Sequence, residues 1–110
     1  MAWPDKTTAP DAEPWADFEI LADYGNVAVK VSSLPRSSNE AWPYRDLYGY
    51  VRNLLKRFDP DRLMVGSDYP WMDDWATYDE CLSWMNAAEF LSKRDRLYLT
   101  HRTFEQIHCD

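Results

Sequence analysis

The chain has 110 residues, with 19 acidic against 12 basic side chains and a formal net charge of −7. That length allows one domain, and a composition 45% hydrophobic and 15% aromatic is globular rather than disordered. The negative balance argues against nucleic acid as a partner, because phosphate contacts need a cationic surface.

Residues 1–12, rich in Pro, Thr and Asp and without periodicity, read as an extended lead-in. Trp15, Phe18, Leu21 and Ala22 then recur at helical spacing, with Asp11 as N-cap, Pro14 in the first turn and Gly25 suited to the C-cap. Over residues 26–32, Asn-Val-Ala-Val-Lys-Val-Ser, the valines at 27, 29 and 31 alternate with Ala28, Lys30 and Ser32, which predicts a two-faced strand. Residues 33–43 are polar and punctuated by Pro35, Ser37, Ser38 and Asn39, a long loop at the carboxyl end of that strand. Leu47, Tyr50, Val51, Leu54, Leu55 and Phe58 follow the helical template without a miss, and Asp59-Pro60-Asp61 stops the helix.

Leu63, Met64 and Val65 form a run too short and too apolar to face water, which predicts a buried parallel strand. Gly66 and Ser67 let the backbone turn, Pro70 prevents the ladder from continuing, and Asp68 is delivered into the loop between them. A carboxylate at the carboxyl end of a buried parallel strand stands where α/β folds place their chemistry. Residues 72–75 continue the loop. Tyr78, Cys81, Leu82 and Met85 mark a helix capped near Asp74 or Thr77, Ser92 and Asp95 form a capping box opening a short helix through Leu97 and Leu99, and Phe104 and Ile107 mark a last helical stretch.

Strand, crossover helix and strand make one βαβ unit with helices on either side, an α/β organisation of two parallel strands and about four helices. Two strands leave unpaired edges and helix faces with little sheet to cover, so the organisation asks for further strands. No apolar run approaches the roughly 20 residues that span a bilayer, and Asp5 and Pro10 stand where a signal peptide would be apolar, so the expectation is a cytoplasmic chain with no membrane partner. Cys81 and Cys109 have neither disulfide nor metal-ligand spacing and read as reduced thiols. The acidic surplus, spread along the chain, suits either a halophilic protein or an ordinary acidic cytosolic one.

The segment at 26–32, followed by Pro-Asp-Arg-Leu-Met-Val-Gly-Ser-Asp-Tyr-Pro at 60–70, resembles the C-terminal third of the amidohydrolase-related proteins. These are (β/α)8-barrel hydrolases, lactonases and decarboxylases of small cyclic or carboxylated substrates. The resemblance implies that residues 1–110 are part of a TIM barrel, with the two segments as its strands seven and eight. It also implies that Asp68 is metal ligand, general base, or both in turn, and that a divalent cation, Zn²⁺ first, is held in the complete barrel. The family's other polar site residues, a His-x-His pair and single histidines after earlier strands, have no counterpart here. His101 and His108 fall in the last helical region, on the side away from the site. A chain with one such carboxylate is expected to bind metal poorly.

Around Asp68, Ser32, Ser33 and Arg36 are candidates for holding a substrate carboxylate, Arg36 by a bidentate fork, against the plainer reading of a solvated loop. Tyr69 and Trp71 either wall a pocket for a small-molecule ring or simply pack. Lys30 shares a face with Ala28 and Ser32, open to a buried ion pair, a catalytic role or an exposed strand end. Two functions of different class follow. One is a hydrolase active only with its missing strands; the other is a non-catalytic remnant that pairs its strand edges with a partner chain or a second copy of itself.

Overall fold

Val29, Val31 and Leu63 bury best when they share one face of a sheet, and they do, with Val65 partly buried on that face and Met64 on the other. In the computed structural model, which describes residues 18–108, β1 (Val29–Ser32) pairs in parallel with β2 (Leu63–Gly66). The register sets Val29 beside Leu63, Lys30 beside Met64, Val31 beside Val65 and Ser32 beside Gly66. Val29, Val31 and Leu63 point into the core, whereas Ala28 and Lys30 are exposed on the opposite face. The expected strand at 26–32 is therefore shorter, starting at Val29, and the second is one residue longer than Leu63, Met64 and Val65.

The crossover runs through a single helical turn, α1 (Leu34–Ser37), a 3-10 turn (Arg45–Leu47) and α2 (Tyr48–Phe58). What reads in sequence as a loop is tied together by Asp46. Its carboxylate accepts from the Ser38 hydroxyl and from the Asn39 N–H at 2.7 Å, while its own N–H donates to Glu40 at 2.8 Å. The α2 stripe is as predicted: Leu47, Tyr50, Val51, Leu54 and Phe58 are buried and Leu55 packs partly against them. At the end of α2, Asp59 takes φ 59° and ψ 158°, which bulky L-residues rarely adopt, and the chain turns through Pro60–Arg62 into β2.

Arg62 fixes that turn to the segment preceding β1. Its guanidinium donates to the carbonyls of Ala22 at 2.9 Å, Tyr24 at 3.0 Å and Phe58 at 3.0 Å, and lies 5.2 Å above the Phe58 ring. The first helical stretch is described from Phe18 and ends in a 3-10 turn, Ile20–Asp23, capped by Tyr24. Gly25 is no left-handed cap, since none of the described glycines has a positive φ. Asp11, Pro14, Trp15 and the lead-in at 1–12 lie outside the described residues.

After β2, a 3-10 turn (Trp71–Asp74) buries Met72 and leads to α3 (Tyr78–Ala87). Thr77, not Asp74, caps α3, in a full capping box with Glu80. Ser92 and Asp95 form the second box, opening α4 (Lys93–Leu97), which continues through a π-turn (Tyr98–Arg102) into α5 (Thr103–His108). Arg96 donates to the carbonyls of Met85 at 3.1 Å and Ala88 at 3.0 Å, closing the end of α3. The buried Thr103 hydroxyl donates to the Pro60 carbonyl at 2.9 Å, so α5 is held by the turn that feeds β2. Tyr78, Phe104 and Ile107, expected on apolar stripes, are exposed at 54%, 51% and 46%. Among the described residues the sheet has two strands, each with one unpaired edge, and no helix is long and apolar enough to cross a membrane.

Candidate active site

The carboxyl ends of β1 and β2 meet at the Ser32 and Gly66 rung, and both chains leave it through residues in the left-handed region. Ser33 follows β1 with φ 60° and Asp68 follows β2 with φ 67°. These two touch: the Ser33 hydroxyl donates to Asp68 Oδ2. Ser33 also stands at the N-cap of α1, but its side chain makes no cap bond; its carbonyl accepts the Arg36 N–H at 3.2 Å. On the other side of Asp68, the Ser67 hydroxyl accepts the Tyr69 N–H at 3.2 Å, which turns the backbone just after the carboxylate.

A second bridge joins the two loops. The Arg36 guanidinium lies 5.8 Å above the Trp75 ring, a cation–π contact between the turn after β1 and the turn after β2. Tyr69 meets Tyr78 edge to face at 6.1 Å. Tyr69 and Trp71 are 67% and 70% exposed, so Tyr69, Trp71, Trp75 and Tyr78 form a run of open aromatics leading from Asp68 into α3. Trp75 and Tyr78 escaped the sequence reading because Tyr78 fits a helical core stripe. The signal that could have found them is the density of aromatics across residues 69–78.

Of the residues singled out in the sequence, Asp68 and Arg36 are exposed at the strand ends and Ser32 is buried beneath them. Ser33, one residue further on, is the serine that reaches Asp68. Lys30 is exposed on the sheet face away from the core, beside Met64. The buried Cys81 has its thiol pKa pushed up by burial first, then by the charges of Glu80, Asp73 and Asp68, which keeps it a thiol rather than a nucleophile.

A catalytic zinc site takes three protein ligands and an open position. Among the described residues no three His, Cys, Asp or Glu side chains lie close enough to share an ion. The chain's two histidines, His101 and His108, lie in the π-turn and at the end of α5, where His101 Nδ1 is 3.0 Å from the Thr100 hydroxyl and His108 stacks 4.3 Å from Phe104. The described residues therefore do not fit a complete metal centre; at the strand ends they offer the Asp68 carboxylate.

The family model for amidohydrolases matches residues 1–99. Among solved structures, an amidohydrolase from Burkholderia multivorans with bound zinc is similar with a TM-score of 0.72 and 31% identity, over 83% of this chain and 34% of that one. The putative 2-pyrone-4,6-dicarboxylic acid hydrolase of Pseudomonas putida shares the fold with a TM-score of 0.76 at 24% identity, over 94% of this chain and 39% of that one. The chain thus spans between a third and two fifths of the length of these structures. No curated protein sequence matches it. With the family match covering nearly all of its length, the chain belongs to the amidohydrolase family.

Proposed function

We propose that residues 1–110 form the sector of an amidohydrolase-type (β/α)8 barrel that carries its last two strands, and that Asp68 is the proton acceptor of a hydrolase acting on a small cyclic ester, cyclic amide or carboxylated substrate. The observation that carries this reading is the position of Asp68: an exposed carboxylate just past the carboxyl end of β2, next to the end of β1. Barrel enzymes place their chemistry on that face. The exposed sheet face bearing Lys30 and Met64 would then look into the barrel, covered by strands beyond the described pair.

The chemistry asked of this chain's residues is general base and then general acid catalysis. Asp68 accepts a proton from water as the water oxygen attacks the substrate carbonyl. The C–O or C–N bond to the leaving group then breaks, and the carboxylic acid returns that proton to the departing oxygen or nitrogen. Arg36 suits a substrate carboxylate through its planar fork, with Ser32 nearby at the end of β1. Tyr69 and Trp71 supply apolar contact for a ring. A divalent cation, zinc in the Burkholderia structure, would draw on Asp68 as one ligand, with its other donors outside the described residues.

The test is hydrolysis of a panel of lactones, cyclic amides and carboxylated rings by the protein at the length its source cells make. Asp68→Asn is expected to lower kcat by about 10²–10⁴-fold, the usual contribution of a positioned base, with an unchanged melting temperature. Full activity in that variant would overturn the assignment. A second reading is favoured by the two unpaired strand edges among the described residues: a non-catalytic protein that completes its sheet with a partner chain or a second copy. An intact mass matching 110 residues, together with a stable complex, would select it.

A further inference from the structure

We infer that Ser33 is the positioning residue of the site, holding Asp68 through Oδ2 and so fixing the direction in which Oδ1 is presented; this rests on the reading of Asp68 as proton acceptor. The first ground is where the hydroxyl goes. A serine at an N-cap ordinarily accepts a backbone N–H of the first turn, which stabilises a helix by about 1 kcal/mol. Ser33 makes no such bond and donates to Asp68 instead, 35 residues away.

The second ground is backbone conformation. Ser33 and Asp68 both lie in the left-handed region, where a residue with a β-carbon is strained and persists only if its surroundings hold it. On the Ser33 side those surroundings are identifiable. Leu34 is 1% exposed, the Arg36 N–H closes on the Ser33 carbonyl, and the Ser38 N–H closes on the Leu34 carbonyl at 3.0 Å. The hydroxyl is thus mounted on an anchored turn and aimed by it.

The third ground is what the bond leaves free. A hydroxyl has one proton to give, and Oδ2 receives it, so Ser33 leaves Oδ1 open to another partner. A base fixed at one oxygen presents the other in one orientation, the condition for proton transfer in a bound complex. Arg36 belongs to the same turn as Ser33, so a substrate carboxylate held there is indexed to Asp68 by a path of three residues.

Substituting Ser33 separates the hydroxyl from the backbone. Ser33→Gly keeps the left-handed turn at less strain and loses the donor; Ser33→Asn tolerates that region and restores a donor through its amide. In the protein at its native length, Ser33→Gly is expected to lower kcat about tenfold with KM unchanged and the melting temperature maintained, and Ser33→Asn to recover most of the loss. The Asp68 carboxyl ¹³C resonance should move in Ser33→Gly and return in Ser33→Asn. Wild-type kcat in Ser33→Gly, an unmoved resonance, or a loss that Asn does not rescue would each overturn the positioning role. A moved resonance together with an active Asp68→Asn variant would overturn the parent reading and leave the contact standing.

Discussion

Gly66 and Ser32 face each other across the last rung of the two-stranded ladder, and a β-carbon on Gly66 would stand 3.3 Å from Ser32 Cβ and 3.8 Å from Lys30 Cδ. The sequence suggests a turn glycine there; the structure has it inside β2 without a positive φ, needed for close approach rather than for backbone freedom. Ser32 is 7% exposed and has little room to move aside. Gly66→Ala should therefore destabilise by about 1–3 kcal/mol, the usual range for overpacking, and lower the melting temperature. Were the rung able to open, reduced unfolded-state entropy would raise it instead.

The two capping boxes give a sharper stability test. Thr77 accepts the Glu80 N–H at 3.1 Å and Ser92 accepts the Asp95 N–H at 3.0 Å, each with the reciprocal bond to the cap backbone. Thr77→Ala and Ser92→Ala should each cost about 1 kcal/mol in chemical denaturation. A cost near zero at Ser92 would show that α4 is held by the Arg96 bonds to Met85 and Ala88 rather than by its cap.

Arg36 should separate binding from chemistry. Its contact with Trp75 is exposed and contributes about 0.5–1 kcal/mol at most, so Arg36→Lys should hardly change the melting temperature. If its fork holds a substrate carboxylate, the same substitution should raise KM for carboxylated substrates by about tenfold, roughly 1.4 kcal/mol, and leave neutral lactones unaffected. Equal effects on both classes would argue against carboxylate recognition there.

How much of this could be read from the sequence depends on the range of the interaction. The α2 stripe, the alternation in β1 and the Ser92–Asp95 capping box are local patterns of period or spacing, and they were legible; the α3 cap stayed open between Asp74 and Thr77, and the part Glu80 plays in it was not legible. The left-handed residues were not. Glycine is the usual occupant of that region, yet Ser33, Tyr44, Asp59 and Asp68 take it and no described glycine does. A non-glycine residue is held there by contacts distant in sequence, such as the bond between Ser33 and Asp68. Asp68 itself was legible as a carboxylate at a strand end, while its partner serine was grouped with Ser32 because nothing local distinguishes the two. Tyr78, Phe104 and Ile107 mislead for the opposite reason: helical spacing marks a candidate face but not whether anything covers it.

Tyr44 carries the pH prediction. It is 3% exposed, its hydroxyl has no hydrogen-bond partner among the described residues, and its pKa is pushed up to about 12, by burial first and then by the charges of Glu80 and Cys81. The folded state therefore keeps a proton that the unfolded chain begins to lose near pH 10.0, the ordinary phenol value. Its contribution to stability is fully present below pH 10.0 and is lost as pH rises toward about 12. Cys81, also raised by burial, adds a loss of the same sign beginning at lower pH. Tyr44→Phe removes both the titration and a buried hydroxyl with no partner, so it should be neutral or stabilising at pH 7 and should flatten the decline between pH 10 and 12. Denaturant unfolding of both proteins across that range checks the sign. A marked loss of stability in Tyr44→Phe at neutral pH would mean that the hydroxyl has found a partner, and an undiminished decline between pH 10 and 12 in that variant would show that Tyr44 is not its source.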